Sequence, residues 1–97
     1  MSSFILSPLA RRDLNDIWDY IARDDLDAAD RVVNEIYDAI LLISSIPRIG
    51  HLREDLTDEP LRFWPVRRYL IVYRSESEPL EIVRILSAYQ DVHRLLQ

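Results

Sequence analysis

A chain of 97 residues that is 48% hydrophobic and 30% charged has the composition of a globular unit, not a disordered one, and a length suited to one domain with a modest core. It has no cysteine and only two histidines, His51 and His93, far apart in sequence, which excludes disulfides and thiolate or histidine-based zinc sites. Its formal charge of −5 argues against nucleic-acid binding driven by overall electrostatics.

The charge is unevenly spread. All twelve basic residues are arginine. Residues 1–60 carry six of them against thirteen carboxylates, whereas residues 61–97 carry six against four. An acidic first part and a mildly basic second part predict that an acidic partner segment would meet the second part. The alternative is that acidic helices simply keep solvated outer faces. The N-terminal MSSFILSPLARRD turns charged within a dozen residues, unlike a secretory leader. No apolar run approaches the ~20 residues of a membrane span. A cytoplasmic protein is expected.

Phe4-Ile5-Leu6 is a short apolar run that predicts a strand. Ser7-Pro8 then reads as a helix start, because serine caps free N–H groups and proline fits the first turn. Leu14, Ile17, Trp18 and Ile21 follow at helical spacing, predicting a helix from about Pro8 to Arg23. Asp24-Asp25 supplies a second cap. Ala29, Val32, Val33, Ile36, Ile40 and Ile43 make a second stripe, which ends near Ser44-Ser45. Two amphipathic helices joined this tightly form an antiparallel hairpin, over about 8–45. Pro47 to Pro60 reads as loop, with Gly50, the only glycine, expected at a positive-φ turn.

Beyond Pro60 the period changes. Residues 61–66, 69–75 and 80–86 are rich in β-branched and aromatic side chains and predict three strands. Their short connections imply antiparallel neighbours. Pro65 has no N–H for a ladder, so the first of them is expected at an edge or bulged there. Residues 90–96 suit a last helical turn. The sum is a single α+β domain over 1–97, a β-α-α-β-β-β order with the helical hairpin packed on a small, mostly antiparallel sheet.

Five stretches resemble the ParE branch of the ParE/RelE toxin superfamily. Leu6 to Ile21 (LSPLARRDLNDIWDYI) is similar to that family's opening, LSPxAxxDLxxIWxYI. Ala28 to Ile36 (AADRVVNEI) is similar to its second helix, and Pro47 to Gly50 (PRIG) to the segment closing the helical half. Arg62 to Arg74 (RFWPVRRYLIVYR) follows RxxxVxxYLIxYR, and Val83 to Leu86 (VRIL), with Asp91 and Leu95-Leu96, resembles the closing motif. That motif often carries a histidine where this chain has Ser87. The resemblance implies the β-α-α-β-β-β fold and the toxin role in a type II toxin–antitoxin pair. It further implies DNA gyrase as target, and a ParD-like antitoxin that binds the toxin in a hetero-oligomer. No cofactor, no metal, no membrane and no sequence-specific nucleic-acid contact is implied.

Two alternatives stand beside it. A RelE-type ribosome-dependent mRNA endonuclease would need a base, an acid and cations around the scissile phosphate. The residues available would be Arg62, Arg84, Tyr89 and His93, though arginine stays protonated and Tyr89 would need a strongly lowered pKa. A non-toxic regulator that only binds its antitoxin is the second. For partner binding the candidates are Arg62, Trp64, Arg67, Arg68, Arg74, Arg84 and Tyr89. Against each stands a packing or solvated-surface role: Arg67-Arg68 as a plain turn, Arg74 or Arg84 paired with a carboxylate such as Glu81, and Trp18 packed in the core or between helix and sheet. Phe63 and Trp64 should face opposite sides of their strand, leaving one of them for the antitoxin.

Overall fold

A computed structural model describes residues 3–87 and 92–96 of the chain. Its elements run β1 (Phe4–Leu6), α1 (Pro8–Ala22), α2 (Leu26–Ser45), β2 (His51–Leu52), β3 (Arg62–Val66), β4 (Tyr69–Arg74), β5 (Leu80–Ser87) and α3 (Val92–Leu95). Both helix starts use the expected caps. The Ser7 hydroxyl accepts the Ala10 N–H at 3.0 Å, and the Asp25 carboxylate accepts the Ala28 N–H at 3.1 Å. Pro8 sits in the first turn of α1, where its missing N–H costs nothing. No helix among the described residues is long and apolar enough to cross a membrane.

The strands form one five-stranded sheet in the order β1-β5-β4-β3-β2. Strands β2 to β5 pair antiparallel, while β1 pairs parallel with β5, Phe4 opposite Leu80 and Leu6 opposite Ile82. The fold is thus the expected α+β arrangement with one strand more. That strand, His51–Leu52, lies where the sequence reads as loop. It is two residues long with both side chains exposed, so it carries no hydrophobic alternation to announce it. Because β2 pairs only with Arg62 and Phe63, the edge of β3 stays open at Pro65, which suits a residue with no donor. The bulge lies elsewhere, in the β4–β5 ladder between Val72 and Tyr73, whose partners are Arg84 and Ile82.

The sheet is covered on both faces. On one, Leu14, Ile36, Ile40 and Ile43 from the hairpin pack with Ile71, Tyr73, Leu80, Ile82 and Ile85. On the other, Leu61, Phe63, Val72 and Leu86 pack with Val92, Leu56 and Leu96. The bulge lets Ile82 and Ile85, three apart, both meet the helices, while Val83 and Leu86 meet the other cluster. Phe63 and Trp64 do face opposite sides, but neither is left outside. Phe63 is 2% exposed, and Trp64 is half-buried against the helix-side cluster. Trp18 bridges the two helices instead of joining that core, its indole N–H donating to Asp30 at 2.9 Å.

Gly50 is required for a reason other than the expected one. It has no positive φ. A Cβ there would meet the Tyr73 hydroxyl oxygen at 2.5 Å and its ring at 2.8 Å. The fully buried Tyr73 hydroxyl accepts the Gly50 N–H and donates to the Pro47 carbonyl, both at 2.8 Å. The ring therefore pins the 47–50 turn to the middle of the sheet. Gly50→Ala should lower stability by about 1–3 kcal/mol through overpacking. Tyr73→Phe should cost about 1–3 kcal/mol by orphaning both backbone groups. Urea melts of the two single variants check each value.

Candidate functional site

The start of α1 is fastened to the β5 bulge by a dense set of polar contacts. The Ser7 N–H donates to the Ile82 carbonyl at 3.0 Å, and its hydroxyl donates to the Val83 carbonyl at 2.7 Å. One turn and a half later, Asp13 accepts both Nε and Nη2 of Arg84, at 2.8 and 2.9 Å, and the Ile85 N–H at 2.9 Å. The Arg84 and Asp13 side chains are 16% and 12% exposed, so this pair works in a low-dielectric setting where charge-assisted bonds are strong. The Asp13 hydrogen bonds push the Arg84 guanidinium above its ordinary range, against the opposing effect of burial. Ser7, Asp13 and Arg84 all belong to the motifs quoted above.

The other candidate arginines are also held by the protein. Arg62 donates through Nη1 to the Gly50 carbonyl at 2.8 Å and through Nε to the Ser75 hydroxyl at 3.2 Å. It backs up the Tyr73 latch and leaves little for a phosphate. Arg67 forms a two-toothed pair with Glu35 of α2, its Nη2 at 2.8 Å from Oε1. It does so from a positive φ of 54° at the first position of the two-residue β3–β4 turn. Arg74 reaches Glu59 at 3.1 Å and Glu81 at 3.2 Å, the latter a pairing the sequence suggested. Arg68 already has a partner. It lines a groove with Tyr69, Ile85 and Ser87 on one side and Asp13, Asp16, Ile17 and Tyr20 of α1 on the other.

The structure therefore disperses the predicted arginines instead of gathering them. Arg62 turns to the 47–50 turn, Arg67 to α2, Arg74 to the two glutamates, and Arg84 to α1. Trp64 is packed against the helix-side core. Tyr89 and the side chain of His93 lie outside the described residues. Tyr73, which shares strand parity with Tyr69 in β4, is a buried phenol. Burial pushes its pKa up, against smaller opposing effects of the Gly50 N–H and Arg62. The α1 side of the groove was missed. Its signal was Asp13, Asp16 and Tyr20 at spacing i, i+3, i+7, one flank of a helix.

Comparison with known proteins places this architecture. A chain in a structure described as "Chromosomal ParDE TA system from P. aeruginosa" superposes with a TM-score of 0.72 over 90% of this chain and 96% of that one, at 21% identity. The two chains share a fold. The family model for "ParE toxin of type II toxin-antitoxin system, parDE" matches residues 4–92, and the chain belongs to that family. It is similar to the proteins named Toxin ParE1 of two Mycobacterium tuberculosis strains, CDC 1551 / Oshkosh and ATCC 25618 / H37Rv. With each it is 31% identical over 97 residues, 98% of either chain.

Two stability predictions follow from the ion pairs. Asp13→Ala leaves Arg84 and the Ile85 N–H without their acceptor and should cost about 3 kcal/mol, read as a shift in the urea midpoint. Glu35 behaves differently. Its hydrogen bonds to Arg67 hold its carboxyl below the usual range. A depressed folded-state pKa gives stability that is full above the unfolded value and is lost as pH falls through the folded one. The small Tm deficit of Glu35→Gln at neutral pH should accordingly shrink as pH drops below about 4.

Proposed function

We propose that this toxin poisons DNA gyrase in the cytoplasm and is neutralised by a ParD-like antitoxin with which it forms a hetero-oligomer. The observation that carries this reading is the match to the ParE toxin family over residues 4–92. The 31% identity to the mycobacterial ParE1 toxins over nearly the full length of both chains supports it. The proposal asks no reaction of this chain's own side chains. Gyrase supplies the tyrosine that becomes linked to DNA, and the toxin acts by binding. Arg62, Trp64, Arg67, Arg68, Arg74, Arg84 and Tyr89 stay as candidates for contact with gyrase or antitoxin. Arg68 is exposed and lines the groove between α1 and the ends of β4 and β5.

The alternative as an mRNA endonuclease draws no support from the described residues. Arg62 and Arg84 are engaged by a carbonyl and a carboxylate on different elements. Neither can serve as a base, because guanidinium stays protonated.

The test uses purified toxin freed of antitoxin, with gyrase, ATP and relaxed plasmid. Loss of supercoiling with protein-linked DNA breaks, both reversed by the antitoxin, is the expected result. Normal supercoiling by toxin that is folded and still binds its antitoxin would rule out gyrase as the target.

A further inference from the structure

The groove between α1 and the ends of β4 and β5 encloses about 450 Å³, within the ~300–1,000 Å³ of small ligand sites. It exists because β1 is short. That strand pairs with β5 only as far as Ile82, so the lane beside Val83 to Ser87 holds no strand among the described residues. The chain has already used the first backbone groups of that lane: Ser7 takes the Val83 carbonyl and Asp13 the Ile85 N–H. Too little ladder remains for an added strand. What fits is a side chain.

Its chemistry can be read from the walls. Ile17 and Ile85 give an apolar floor, and Tyr20 and Tyr69 add aromatic surface, Tyr20 being 71% exposed. Asp13 is neutralised by Arg84, and Arg68 and Ser87 are already engaged. Asp16 lines the groove exposed, with neither an ion pair nor a hydrogen bond to the other described residues. Residues 8–45 carry nine carboxylates against four arginines, or seven against four once Asp13 and Glu35 are set against Arg84 and Arg67. In the second half Arg67, Arg74 and Arg84 are each compensated by a carboxylate. The field at the groove therefore favours a cation, contrary to the acidic partner that the uneven charge suggests. A guanidinium or ammonium there gains a carboxylate and aromatic faces, and its aliphatic stem covers the isoleucines.

We propose that this groove receives a lysine or arginine side chain of the antitoxin, with Asp16 as its counter-ion and Tyr20 and Tyr69 flanking it. The proposal rests on the antitoxin reading above. The test measures binding of full-length cognate antitoxin to four toxins by calorimetry: the parent, Asp16→Arg, Tyr20→Ala, and Asp19→Arg as a charge control on the same helix outside the groove. Thermal melts establish that each is folded. Asp16→Arg should weaken binding by about tenfold or more, Tyr20→Ala should weaken it less, and Asp19→Arg should leave it near the parent. One Lys/Arg→Glu change in the antitoxin should restore affinity for Asp16→Arg. Parent-like binding by Asp16→Arg would overturn the groove assignment while leaving the antitoxin reading intact. Equal losses for Asp16→Arg and Asp19→Arg would overturn it too, by showing a diffuse field. A parent toxin that does not bind the antitoxin would overturn the antitoxin reading, and this proposal with it.

Discussion

The clamp between α1 and the β5 bulge is the constraint on which the rest of the molecule depends. Past Ile82, where β1 ends, β5 would present the Val83 carbonyl and the Ile85 N–H unpaired at the sheet's margin, a costly state for partly buried backbone. Ser7 and Asp13 supply their partners. In return, the bulge sets Ile82 and Ile85 on the same face, under the hairpin. The seating of the helix layer on the sheet and one wall of the groove beside β5 depend on this junction. Its members also explain why a serine, an aspartate and an arginine stand at those places in motifs that otherwise look like ordinary amphipathic pattern.

A second consequence concerns charge. Arginines clustered in the second part of the sequence suggest a basic surface. In the folded chain three of the six, Arg67, Arg74 and Arg84, are tethered to carboxylates of the hairpin, a loop or a neighbouring strand. Arg67 ties the β3–β4 turn to α2, and Arg74 ties β4 to Glu59 and Glu81. Exposed pairs of this kind add little stability, being screened and entropically costly, but they cancel the local field. What remains is acidic and lies along the helices. Fold and electrostatics are coupled here through sequence distance: Glu35 and Asp13 lie 32 and 71 positions from the arginines they compensate and within hydrogen-bond reach of them in space.

That coupling also decides what could be read from sequence. The helices were legible because capping residues and apolar stripes are local signals, and Ser7 and Asp25 cap where expected. Strands β3 to β5 were legible by composition and by short connections. The two residues of β2 were not, since both are exposed and owe their pairing to β3 alone. Gly50 was singled out correctly but for backbone freedom, when the cause is a tyrosine 23 positions away. The candidate site suffered most. Asp13 and Arg84 lie 71 positions apart, and no period or motif spacing within either segment announces that one neutralises the other.

The same distances bear on how the chain is made. The contacts that seat α1 on the sheet span 76 positions for Ser7 and Val83. A polypeptide emerging N-terminus first therefore presents its helical hairpin well before β5 exists to receive it. Local helical order forms quickly, whereas closure of so long a loop waits for its far end. Until β4 and β5 have been made, the stripe of Leu14, Ile36, Ile40 and Ile43 has no sheet to cover it. A copy still lacking those strands exposes apolar surface of the kind that chaperones bind.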